Sequence, residues 1–155
     1  MVLSPTPRAV ALGAGAVGTV GVTIAADILS NVPETPRGDG FAAGLAGIFA
    51  VVYAVAGSLA IAEAGLLYLV ARTSAPEERP RQLLTLGVAA GGGAVLLLAV
   101  QYVLTTLWTL TGTHLFVRID GPIGLGLALV PVGVVCSGLG AALQVSDTLG
   151  VGSRA

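Results

Sequence analysis

The sequence predicts an all-α, polytopic membrane protein with four transmembrane helices, and three observations carry that reading. Residues 9–26, 41–62, 82–117 and 121–146 contain no Asp, Glu, Lys or Arg. A hydrocarbon core about 30 Å thick is crossed by roughly 20 apolar residues rising ~1.5 Å each, so each stretch has spanning length. Across 155 residues the chain is 55% hydrophobic and 10% charged, with a mean hydropathy of +0.95, whereas soluble domains carry about 25% charged residues. The charges that remain fall between the stretches, where polar connections belong.

The first helix is expected near 9–29. Its apolar run is longer than a signal-peptide core, and removing it would leave an odd number of spans. Asn31, Pro33, Pro36, Gly38 and Gly40 mark the first connection, because these residues favour turns over helix. A second helix follows near 42–70. Pro76 and Pro80 punctuate the next connection, so helix is expected to stop on either side of both. The third helix is placed near 83–110, with Gly91, Gly92 and Gly93 as a point of bending or tight packing. Residues 111–117, rich in turn and β-branched types, read as a loop near the interface. The fourth helix, near 122–145, contains Pro131, which should kink it by removing a backbone donor. Helices two and three exceed a perpendicular span and should tilt or protrude. The whole chain, 1–155, reads as one membrane domain.

The arginines orient it. Arg8, Arg72, Arg79, Arg81 and Arg154 fall on the side of the termini and middle connection, against Arg37 and Arg118 on the other. Positive residues in short loops favour the cytoplasmic face, so both termini are expected there in a cell membrane. Trp108 and Tyr102 toward one end and Tyr68 toward the other suit rings anchored at headgroup level.

Arg37, Gly38, Asp39 and Gly40 share an Arg-x-Asp-Gly pattern with Arg118, Ile119, Asp120 and Gly121. Each precedes the second helix of a hairpin, which suggests a parallel repeat of 1–76 and 77–155. Chance recurrence in a glycine-rich chain is the competing account. Either way, Asp39 and Asp120 can cap the following helix, and Arg37 and Arg118 can pair with that carboxylate or a lipid phosphate. The Arg-Gly-Asp string at 37–39 is too short to support an adhesion role.

Helices in lipid associate by close backbone approach and interhelical hydrogen bonds, and small residues recur throughout. The expected faces are Ala14, Gly18, Val22 and Ala26; Gly40 and Gly44; Ala43 and Gly47; Ala54, Ser58 and Ala62; Gly87 and Gly91; Ala89 and Gly93; and Gly138 with Ala142.

Few polar groups enter the membrane. Asp27 and Glu63 are the acids placed within it, where an ionisable group is costly and invites a functional hypothesis. They should sit on opposite sides of the midplane, roughly 15–20 Å apart. Glu63 has two readings, a proton or cation site and a structural side chain that snorkels toward the inner interface or pairs with Arg72 or Arg79. Gln101, Thr105, Thr106 and Thr109 form a polar stripe suited to bonding a neighbouring helix or lining a vestibule. Cys136 is a lone packing cysteine, and the one histidine, His114, reads as a loop residue.

The net charge of −1 and the absence of lysine argue against nucleic acid as a partner. No Ser/His, paired-acid, metal-ligand or cofactor motif is visible, so neither catalysis nor a cofactor is expected. The leading expectation is a small non-enzymatic subunit in the bilayer, assembling with its own copies or a larger membrane complex through Gly/Ala faces. The alternative is a small transporter or ion pathway working through Glu63.

Overall fold

In a computed structural model the described residues are 6–32, 40–73, 78–111 and 120–148. They form α1 (Pro7–Ser30), α2 (Gly40–Thr73), α3 (Glu78–Thr111) and α4 (Asp120–Thr148). All four helices are long and apolar enough to cross a membrane, so the chain is a multi-pass, four-span α-helical protein.

Each helix outruns its sequence-based bounds by a few residues. α1 begins at Pro7, where the fixed φ suits the first turn and the missing N–H has no intrahelical role. Thr6 caps it, its Oγ1 accepting from the Ala9 amide at 3.4 Å. At the other end the Asn31 amide donates to the carbonyls of Asp27 and Ile28. Pro80 does not interrupt helix as the sequence suggests. It is the third residue of α3, in a first turn that tolerates proline because its amides lack intrahelical acceptors. Thr111, expected to open a loop, is instead the last residue of α3. Pro76 and His114 lie outside the described residues, as do Arg37, Asp39 and Arg118. Asp120 is the first residue of α4, and Gly40 the first of α2. α4 continues through Pro131.

The helices pair as two hairpins, α1 with α2 and α3 with α4, joined mainly along α3. α3 touches the other three helices, whereas α1 and α4 do not meet among the described residues. Burial follows: half of the most apolar window of α3 is buried, against 22% of that of α4. Ile24, Tyr53, Ala56, Val95 and Leu98 fill the half nearer the α1–α2 turn, and Ala11, Ala14, Leu67, Leu84 and Val88 the other.

Glycine sets both hairpin crossings. A Cβ on Gly57 would lie 2.7 Å from the Gly18 carbonyl oxygen, and one on Gly87 would lie 2.6 Å from the Ser137 amide nitrogen. Backbones this close allow dispersion contacts along the full crossing, the main attraction between helices in lipid.

The small-residue faces need revision. Ala14 and Gly18 are buried, and Val22, though largely exposed, still lies with its amide and Cγ2 over Gly57 of α2, whereas Ala26 is exposed; the small buried residues of α1 are Ala11, Ala14, Gly18, Gly21 and Ala25. Steps of four overshoot a turn by about 40°, so a strict i, i+4 stripe winds off the contact, while alternating threes and fours stays on it. Gly87 does face α4, while Gly91 faces the Glu63 side chain of α2 and sets only its backbone against Gly133 of α4. Gly44, Gly47, Gly93 and Gly138 face open space, and Ser58, Ala62, Ala89 and Ala142 are exposed.

Candidate functional site: a carboxyl group at a three-helix junction

Glu63 is 7% exposed and points into the bundle. α2 supplies it on the face that also buries Ala56, Ala60, Ala64 and Leu67, so the helical period that packs the core carries the carboxyl inward. α3 makes room at Gly91, where a Cβ would collide with Glu63 Oε2 and stand 3.3 Å from its Cδ. α4 supplies the partner: Ser137, 5% exposed, donates its hydroxyl to Glu63 Oε1 over 3.0 Å. The second carboxyl oxygen, Oε2, is buried without a hydrogen-bond partner.

The site lies well inside the candidate membrane spans. Ser137 is about 3 Å along the axis from the middle of the span Gly124–Ser146, and Glu63 about 8 Å past the middle of Ala43–Arg72. Glu63 therefore does not snorkel. Arg72 is exposed near the end of α2, and no ion pair forms among the described residues with described side chains.

Ser137 has a choice of acceptors. Its Oγ lies 2.9 Å from the Gly133 carbonyl as well as 3.0 Å from Glu63 Oε1. A hydroxyl has one hydrogen to give and two lone pairs with which to accept. With Glu63 ionised, the hydrogen goes to the carboxylate. With Glu63 carrying a proton, the carboxyl O–H can donate to Ser137 Oγ while Ser137 turns its hydrogen to Gly133. Both states keep the hydroxyl and Oε1 bonded, so a proton can arrive or leave without the helices moving.

Asp27 is a separate feature. It is exposed near the end of α1, receives the Tyr102 hydroxyl on Oδ2, and accepts from Asn31 Nδ2 at 3.0 Å on Oδ1. Tyr102 is thus drawn toward α1 and the ring of Tyr53, with centroids 6.1 Å apart at 74°, rather than acting only as a headgroup anchor. Asp27 contacts Tyr102 and Glu63 contacts Gly91, three turns apart on α3, or about 16 Å.

Gln101 is 6% exposed. The stripe it heads does not bond a neighbouring helix: Thr105, Thr106 and Thr109 donate to the carbonyls of Gln101, Tyr102 and Thr106 on their own helix. Gln101 Nε2 donates to Thr105 Oγ1 at 3.2 Å, and its Oε1 is buried without a partner.

Sequence reasoning singled out Glu63 but missed its partner. Ser137 is one polar residue in an apolar helix, and only the packing of α4 on α3 brings it to Glu63. Comparison with protein families, characterised proteins and solved structures finds no match to this chain, so function rests on this geometry.

Proposed function

We propose that this multi-pass protein is a small proton-linked transporter or proton pathway, with Glu63 as its proton-carrying group and Ser137 as the group that adapts to either protonation state. The observation that supports it is the paired acceptors of Ser137, which let a buried carboxyl gain or lose a proton with the bundle intact. A proton fits this donor set better than a metal cation, since cations such as calcium take six or more oxygens. Ser137 is the one described side chain that bonds the carboxyl. In this reading the arginine-rich side, with both termini, faces the cytoplasm.

The test is proton flux into reconstituted vesicles carrying a pH-sensitive dye. Flux above that of empty vesicles, abolished by Glu63→Gln, is expected. Flux unchanged by the substitution removes the proposal.

A second reading, a non-enzymatic structural or accessory subunit, is favoured by the glycines with open space above them. Gly44 and Gly47 on α2, Gly93 on α3 and Gly138 on α4 offer smooth surface to a second copy or a larger complex. The two readings are compatible, because Glu63 lies inside the bundle and these glycines outside it.

A further inference from the structure

A cavity of about 340 Å³ opens between α1, α2 and α3 in the half of the bundle near the α1–α2 turn. Its wall includes Ala46, Phe49, Tyr53, Leu98, Gln101 and Thr105. It is separate from Glu63: Gln101 is nearly three turns along α3 from Gly91, about 15 Å.

The wall is apolar apart from a few groups, most of which are committed. Tyr53 donates its hydroxyl to the Leu98 carbonyl at 2.6 Å, Tyr102 donates to Asp27, and Thr105 donates to the Gln101 carbonyl. What remains is Oε1 of the buried Gln101 side chain, which has no hydrogen-bond partner, while its Nε2 donates one hydrogen to Thr105 Oγ1 at 3.2 Å. An unmatched amide oxygen in an apolar wall costs free energy until a ligand bonds it. Ligand sites commonly have this make-up, a mostly apolar cleft of about 300–1,000 Å³ with a few fixed polar groups.

We propose that this cavity binds a lipid-soluble aliphatic alcohol drawn from the adjoining leaflet, its hydroxyl on the Gln101 amide and its chain against Phe49, Tyr53 and Leu98. One hydrogen-bonding position in the wall calls for one polar group on the ligand. A hydroxyl is the complementary choice because it bonds either face of a primary amide, donating to the oxygen or accepting from the NH2. The volume limits the buried part to a small molecule or the head end of a longer chain. Phe49, 38% exposed, stands where the cavity meets the lipid.

The experiment is photolabelling of the full chain in vesicles with a diazirine derivative of octanol, followed by peptide mapping. Adducts should concentrate on Phe49, Tyr53, Gln101 or Thr105, and excess 1-octanol should displace them while octane does not. Gln101→Leu should weaken competition by octanol about five- to tenfold, the effect of losing one hydrogen bond. Ala46→Phe, which fills the cavity without touching the amide, should remove the adducts even if Gln101→Leu fails to fold. Labelling spread along the lipid-facing sides of the helices, equal displacement by octane and octanol, or full labelling of Ala46→Phe overturns the proposal.

Discussion

The Ser137 hydroxyl meets Glu63 Oε1 at 3.0 Å over the bare Cα of Gly91, so residues from α2 and α4 touch only because α3 has no side chain there. The nearest atoms to a Cβ at position 91 all belong to the Glu63 carboxyl. Gly91→Ala should therefore destabilise the protein by about 1–3 kcal/mol through overpacking. In a Glu63→Ala background the same change should cost close to nothing. A double-mutant cycle, read by unfolding in detergent, checks this; equal costs in both backgrounds would show that Gly91 serves something other than the carboxyl.

Ser137→Ala removes the one hydrogen bond that Oε1 receives among the described residues and leaves both carboxyl oxygens without a described partner. A loss of stability of about 1–3 kcal/mol follows from leaving a buried acceptor unmatched. Proton flux should fall several-fold yet stay above that of Glu63→Gln, because the serine adapts to the proton while the glutamate carries it. A Ser137→Ala protein that folds and conducts like the wild type would mean the pair is only structural.

The four spans were legible because hydrocarbon thickness and backbone satisfaction leave few options to an uncharged run of about 20 residues. Glu63 was legible too, as an acid in such a run. Its partner was not, since nothing local distinguishes Ser137, packed against Gly87, from Ser58, which faces outward. The contact faces were only half legible: Gly18 and Gly47 look alike in sequence, but one meets a backbone carbonyl and the other open space. Which side of a glycine-rich helix faces its neighbour depends on the phase of the whole bundle. Proline misled for a local reason, because Pro80 falls in the one turn that accepts it.

Tyr102 tethers the end of α1 through Asp27, away from the Glu63 site. Tyr102→Phe deletes one hydrogen bond at an exposed carboxylate and should lower stability by at most about 1.5 kcal/mol. Proton flux should not change. A flux defect in this variant, with stability retained, would bring Asp27 into the pathway and remove the reading of it as a tether.

The arginine distribution makes a topological prediction. With Cys136, the native cysteine, replaced by alanine, a cysteine at Ser153 should react with a membrane-impermeant maleimide only after cells are permeabilised. A cysteine at Thr113 should react in intact cells. The reverse pattern would invert the protein and put the arginine-rich side outside.

Inward and outward glycines should respond oppositely to the same substitution. Gly57→Ala forces a methyl group to within 2.7 Å of the Gly18 carbonyl, where only backbone can yield, so the α1–α2 hairpin should loosen with a marked fall in melting temperature. Gly44→Ala and Gly47→Ala add a methyl group in open space and should hold or raise stability, since alanine is the better helix former by about 1 kcal/mol. Enlarging both to isoleucine separates fold from assembly. If the outward face of α2 joins a second copy, the double Ile variant should keep its helical content and lose crosslinking between copies in vesicles. Wild-type protein that never crosslinks, or an Ile variant that crosslinks as well as wild type, would exclude self-association through that face and leave the glycines meeting lipid.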